Sequence, residues 1–126
     1  MTTEIIKATL IAGAGSFLGG AARYLVSVAF KELSKGFPWG TLLVNLAGCL
    51  LIGLLSGLFN KTSGGDNYWP IFLTAGLCSG FTTFSTLSKE ALSMLQCGNY
   101  LEFASYIAIS IIGGIALVAA GYIITK

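Results

Sequence analysis

Thr82, Ser85, Thr86 and Lys89 fall at i, i+3, i+4 and i+7, so on a helix they make one polar stripe that ends in a positive charge. They belong to a hydroxyl-rich stretch, Gly76-Leu77-Cys78-Ser79-Gly80-Phe81-Thr82-Thr83-Phe84-Ser85-Thr86-Leu87-Ser88. Further along, Tyr106, Ser110 and Gly114 stand at i, i+4 and i+8, again one helix face. Asn45 sits inside an otherwise apolar run, one turn after Thr41. Together these residues offer amide and hydroxyl donors with almost no fixed negative charge among them. The acidic residues, Glu4, Glu32, Asp66, Glu90 and Glu102, all read as lying near helix ends or in loops. Such a set suits an anion better than a cation, because an ion stripped of water needs N–H and O–H donors and acidic groups would repel it. Phe81 and Phe84 add to the set, since the edge of an aromatic ring is positive. Arg23 and Lys89 near the mouths of a path would raise the local anion concentration. Each residue alone also has a plainer reading. The phenylalanines serve as packing residues, Asn45 and Ser110 as hydrogen-bonding links between helices, and Arg23 as a topology anchor.

Other chemistries find no support. The chain has no His, which removes the commonest general base and metal ligand. There is no Ser/His/Asp set, phosphate loop or pair of intramembrane carboxylates, so the chain does not read as an enzyme. A proton-coupled pump needs an ionisable group in mid-membrane, and none is apparent. Cys49, Cys78 and Cys97 are odd in number and form no CxxC pair, which argues against a disulfide framework or a zinc site. They read as small buried thiols. A net charge of +2 is too small and dispersed for nucleic-acid binding.

The elements that position these residues follow from hydropathy. Of 126 residues, 55% are hydrophobic and 10% charged, against about 25% charged in soluble domains. Trp39–Phe59, Tyr68–Ser88 and Phe103–Thr125 carry no charge, and each has about the 20 residues that cross a hydrocarbon core. Ala8–Ala22 is shorter and reaches spanning length by continuing through Arg23, which can snorkel, to about Phe30. Its start, with Lys7 before an apolar stretch, is superficially like a signal peptide, but the rest of the chain is as apolar, so it reads as the first of several spans. A single domain, residues 1–126, with spans at about 5–30, 38–60, 68–96 and 101–125, is the expectation. Turn-like links separate them: Ser34 to Pro38, Asn60 to Asn67 with Gly64-Gly65-Asp66, and Gln96 to Glu102 with Gly98-Asn99. Trp39, Tyr68, Trp69 and Tyr100 fit an interfacial belt.

Gly15-xxx-Gly19, Gly53-xxx-Gly57 and Gly76-xxx-Gly80 are spacings that let helix backbones approach closely in lipid. Gly76 and Gly80 also weaken the third span, and its serines and threonines offer partners to freed backbone groups. A break at that depth exposes carbonyls that can hold a cation, and it is tolerated only where buried in protein or lining a cavity. For orientation, Lys7, Lys61 and Lys126 lie on one side, and Arg23, Lys31, Lys35 and Lys89 on the other. So even a balance gives the positive-inside rule nothing to act on. Dual insertion follows, with opposed copies pairing about a two-fold axis in the membrane plane. The alternative is a monomer oriented by some other signal. A second copy would also supply the wall that four helices lack if they are to enclose a path.

Read in order, Gly19-Gly20-Ala21-Ala22-Arg23-Tyr24, Gly40-Thr41-Leu42-Leu43-Val44-Asn45-Leu46-Ala47-Gly48 and Gly80-Phe81-Thr82-Thr83-Phe84-Ser85-Thr86 resemble the small bacterial fluoride channels often called Fluc or CrcB proteins. The resemblance covers the whole chain. It implies an all-helical integral membrane protein, a dual-topology antiparallel homodimer of four-span subunits with a broken third helix. It implies two parallel pores that pass fluoride passively out through the bacterial inner membrane. Phe81 and Phe84 would line the path with ring edges, Asn45, Tyr106 and Ser110 would add donors, and Thr82, Thr83 and Ser85 would form a polar track. Arg23 would stand at the cytoplasmic mouth. A structural sodium ion at the dimer centre would be held by the main-chain carbonyls of Gly76 and Ser79 from each subunit. One departure is Leu87, where the family often has an aromatic residue. Two rival classes remain. A dual-topology, proton-coupled multidrug or cation exporter also has four spans, but it needs a glutamate deep in span one, and Ala8–Ala22 has no acid. A non-transporting assembly subunit would not need donor-lined stripes or a broken span.

Overall fold

Long apolar stretches, with proline only at their starts (Pro38 before α2, Pro70 in the first turn of span three), make helix the only regular structure among the described residues. The computed structural model describes residues 1–61 and 68–126, without the side chain of Lys61. Gly64-Gly65-Asp66, in the second predicted link, lies outside the described residues. Helix α1 runs Thr2–Ala29 and α2 Trp39–Lys61. Span three begins as a π-helix, Ile71–Cys78, which leads into one short turn, α3, Ser79–Phe81; it resumes as α4, Phe84–Gln96. Span four joins α5, Tyr100–Ala108, through a π-helix, Ile109–Gly113, to α6, Gly114–Thr125. Four segments are long and apolar enough to cross a membrane: Thr2–Ala29, Trp39–Asn60, Ile71–Gln96 and Tyr100–Thr125. The all-helical, four-span architecture read from the sequence is therefore the observed one, and Arg23 lies inside the first span.

The links end helices in recognisable ways. Before α2, a 3-10 turn at Leu33–Lys35 lets the Ser34 hydroxyl accept the Gly40 N–H at 3.2 Å. After α4, Gly98 takes φ +77°, the left-handed conformation that glycine adopts without a Cβ clash. The Asn99 N–H then reaches the Met94 carbonyl at 2.9 Å and the Gly98 N–H reaches Leu95 at 3.1 Å, the paired bonds of a Schellman cap.

The glycine spacings mark the closest helix contacts. α1 lies along the first half of span three, and α2 lies along α6. A Cβ on Gly80 would stand 2.6 Å from the Ser16 carbonyl oxygen, and one on Gly76 2.7 Å from that of Ala12. Across the other pair, a Cβ on Gly121 would stand 2.6 Å from the Leu54 nitrogen, and one on Gly57 2.7 Å from the Tyr122 oxygen. These are backbone-to-backbone approaches that only glycine permits, the arrangement that holds helices together where lipid supplies no hydrophobic drive. At the core, Leu42 of α2 packs with Leu87, Ala91 and Met94 of α4 and with Tyr106 of α5. Outside it, large apolar side chains such as Phe17, Leu10 and Ile112 stay more than two-thirds exposed, as a chain bathed in lipid allows.

Candidate functional site

Span three is interrupted at Thr82 and Thr83, whose backbones are extended (ψ 160° and 119°). The sequence places the weakness at Gly76 and Gly80. Both glycines are instead helical and pressed against α1, and Thr82 lies in the break, off the polar stripe expected beyond it. At the break the Thr83 N–H donates to Asn45 Oδ1 at 2.8 Å. In an uninterrupted α-helix that N–H would go to Ser79, four residues back. Asn45 Nδ2 in turn donates to the Thr83 carbonyl at 3.1 Å. On the other side of the break, Arg23 Nε donates to the Gly80 carbonyl at 3.1 Å, as a basic side chain can at a helix C-terminus. Thr83 then caps α4, its hydroxyl oxygen accepting the Thr86 N–H at 3.3 Å.

Beside the break lies an open groove of about 660 Å³. Asn45, Thr82, Thr83, Phe84 and Ser110 all line it, so five of the predicted path residues, from α2, the break, α4 and the π-helix of span four, meet in one place. Phe84 is 79% exposed. Phe81, Ser85 and Tyr106 are not among the lining residues. Phe81 approaches α2, where a Cβ on Gly48 would lie 3.6 Å from its Cδ2. Ser85 is exposed on the first turn of α4. Tyr106 is fully buried, its hydroxyl donates to Glu90 Oε1 at 3.0 Å, and its ring meets Phe37 edge-on at 5.4 Å.

The hydroxyls of the groove are unequal. Thr82 Oγ1 donates to the Cys78 carbonyl at 3.1 Å, and Thr83 Oγ1 pairs with Thr86 Oγ1 at 3.2 Å. Both are engaged within the chain. Ser110 Oγ is the one buried side-chain polar atom among the described residues without a hydrogen-bond partner. A buried hydroxyl left unpaired costs about 1–3 kcal/mol, so Ser110 keeps a bonding capacity that the described residues do not use.

Two features, one in the groove and one beside Tyr106, do not follow from the sequence. Leu87, one turn beyond Phe84, is 7% exposed and lines the groove; the signal was its i+3 spacing from Phe84. Glu90 is half-buried inside α4 and bonded to Tyr106, not placed at a helix end.

With this geometry in hand, likeness to known proteins decides the family. A family model described as "CrcB-like protein, Camphor Resistance (CrcB)" matches residues 10–122. The chain belongs to the CrcB family. A relative from Chlorobium luteolum, named "Fluoride-specific ion channel FluC", is 44% identical over 117 residues, 93% of this chain and 91% of its own. Relatives of the same name from Methylobacterium nodulans and Leptospira interrogans are 42% identical over 118 residues and 40% over 116. They cover 94% and 91% of this chain, and 95% and 91% of their own. The CrcB match spans α1 to α6 and so includes every residue of the groove.

Proposed function

We propose that this chain is a multi-pass fluoride channel of the CrcB family, and not an enzyme. The observation that carries the reading is the groove itself: amide, hydroxyl and ring-edge groups converge at a broken helix, and no carboxylate is among its lining residues. Relatives matched over more than nine-tenths of both chains carry the name of a fluoride-specific channel. Flow is passive. A negative-inside potential moves each fluoride outward with about 2.3 kcal/mol per 100 mV, and no coupling ion is needed. In a bacterium the place for this export is the inner membrane. The proton-coupled exporter is not favoured, because no acid lies between Ala8 and Ala22.

The groove is open on one side. In this reading a second, antiparallel copy closes it, giving two pores per dimer, each lined by both subunits. The lysine and arginine balance supports opposed insertion. Asn45, Ser110 and Phe84 present the donors and ring edge to fluoride, and Thr82 and Thr83 form the polar wall. Phe81, Ser85 and Tyr106 act from beside this path, and Arg23 adds positive charge near its cytoplasmic mouth.

A structural sodium ion at the dimer centre fits the break in part. Neutral carbonyl oxygens suit a hard, singly charged cation. The Ser79 carbonyl has lost its helical donor, because the Thr83 N–H turns to Asn45. Gly76 fits less well, since its carbonyl already receives the Ser79 N–H and the Ser16 hydroxyl at 3.3 Å. Ser79, together with Gly76, would hold the ion, whose charge would tie the two copies together.

Efflux from liposomes tests the function. With a potassium ionophore to balance charge, fluoride should leave fast and chloride negligibly, with no need for a proton gradient. Equal rates for the two halides would remove the claim of selectivity.

A further inference from the structure

We propose that Asn45 is a positioning residue, a side-chain clamp that creates the break in span three and in doing so aims one amide N–H at the ion path. The proposal rests on the channel reading and deepens it. Asn45 makes two bonds to a single residue 38 positions away: its Oδ1 accepts the Thr83 N–H at 2.8 Å and its Nδ2 donates to the Thr83 carbonyl at 3.1 Å. This reproduces, with a side chain, the double bond exchange of two facing strand residues. It occurs where Thr82 and Thr83 are extended, and it supplies the partners that those backbone groups would lack in lipid.

Three consequences follow from the chemistry of the carboxamide. The pairing fixes which end is oxygen, since Oδ1 must face the N–H and Nδ2 the carbonyl. A planar amide that pairs in this way uses the N–H on the same side as its oxygen, so the second N–H points away from Thr83. Because Asn45 lines the groove, that second N–H is the donor Asn45 has left to offer an anion. The clamp also places Phe84, the very next residue and the first of α4. Asn45 therefore acts on the path chiefly through the position of the break, with Arg23 on the Gly80 carbonyl holding the other side.

The test is amide hydrogen exchange on the full chain in lipid nanodiscs, with fluoride efflux measured on the same preparations. In the unsubstituted protein the Thr83 amide is expected to be protected. A Thr83 amide that exchanges as fast as an open loop overturns the proposal by itself. In Asn45→Ala, Thr83 exchange should rise about tenfold, the loss of one hydrogen bond, while α1 and α6 stay protected. Asn45→Asp keeps the acceptor and should keep Thr83 protected, although its charge would reduce fluoride efflux. Equal Thr83 protection in all three proteins would mean that Asn45 is a donor only. A cycle with Phe84→Ile gives the functional arm: the efflux losses of Asn45→Ala and Phe84→Ile should combine to less than their product, and full multiplicativity counts against the clamp. Absence of fluoride efflux from the unsubstituted protein would refute the channel reading and leave the exchange result to judge the clamp.

Discussion

Ser110→Ala separates a hydroxyl kept for an ion from one kept for the fold, because the two roles predict opposite signs. Ser110 Oγ is buried and has no partner within the subunit. Removing it relieves an unpaired polar group and breaks no hydrogen bond in the chain. By itself that change leaves stability unaltered or raises it by about 1 kcal/mol, the lower end of the penalty for a buried unpaired group. In the proposed conducting state the same hydroxyl would face a bare anion. A hydrogen bond to a charged group contributes about 1.5–3 kcal/mol, so its loss should slow fluoride efflux by about 10- to 150-fold at a factor of ten per 1.4 kcal/mol. The measurement is initial fluoride efflux from liposomes, with dimer content and thermal unfolding followed in the same preparation. Slower efflux with undiminished stability is the expected pair. Unchanged efflux, or a stability loss that accounts for the slower efflux, would refute the assignment of Ser110 to the path.

Phe84→Ile should cut fluoride efflux and leave assembly intact, whereas Phe81→Ile should do less, since Phe84 lines the groove and Phe81 does not; paired efflux and size-exclusion measurements check this. Gly80→Ala should fail to fold, because the new methyl would sit 2.6 Å from the Ser16 carbonyl oxygen, against helix backbone that cannot give way; yield of folded protein is the readout. Leu87→Phe enlarges a side chain that is 7% exposed, and overpacking of about 1–3 kcal/mol should lower the unfolding temperature in detergent. Tyr106→Phe removes the 3.0 Å bond to Glu90 and should destabilise the fold by about 1–3 kcal/mol, read in the same unfolding assay.

The four spans were legible because a chain must avoid charge for about 20 residues to cross lipid. The close-packing faces at Gly15, Gly53, Gly57, Gly76 and Gly80 were legible from their spacing, but which helices pair, and the part played by Gly121, were not. The position of the break was not. Glycine marks weakness in isolated helix, but here the contact with α1 holds Gly76 and Gly80 in helical form, and a partner 38 residues away ends the helix at Thr83. Local propensity cannot report a long-range bond. An α-helical period puts Tyr106 and Ser110 on one face, yet Tyr106 turns into the core and Ser110 into the groove. The π-helix that begins at Ile109 widens the turn and spoils the 3.6-residue count, and nothing in Ile109–Gly113 announces it.

The same long-range bonds explain why so polar a stretch is tolerated in mid-membrane. Thr82 is tied to Cys78, Thr83 to Thr86 and Asn45, and Gly80 to Arg23. Each tie removes a group that would otherwise demand water, and each also removes a group that any passing ion could use. What remains is limited: the Ser110 and Ser88 hydroxyls, one N–H of Asn45 and the exposed ring of Phe84. A path with many loose donors would rehydrate large and small anions alike. Few donors, held at fixed places by bonds that cost about 1 kcal/mol each to release, favour the ion whose radius matches their spacing. On this reasoning selectivity in this chain belongs to the bonds that hold the break as much as to the groups that touch the ion, and loosening either should raise chloride leakage relative to fluoride.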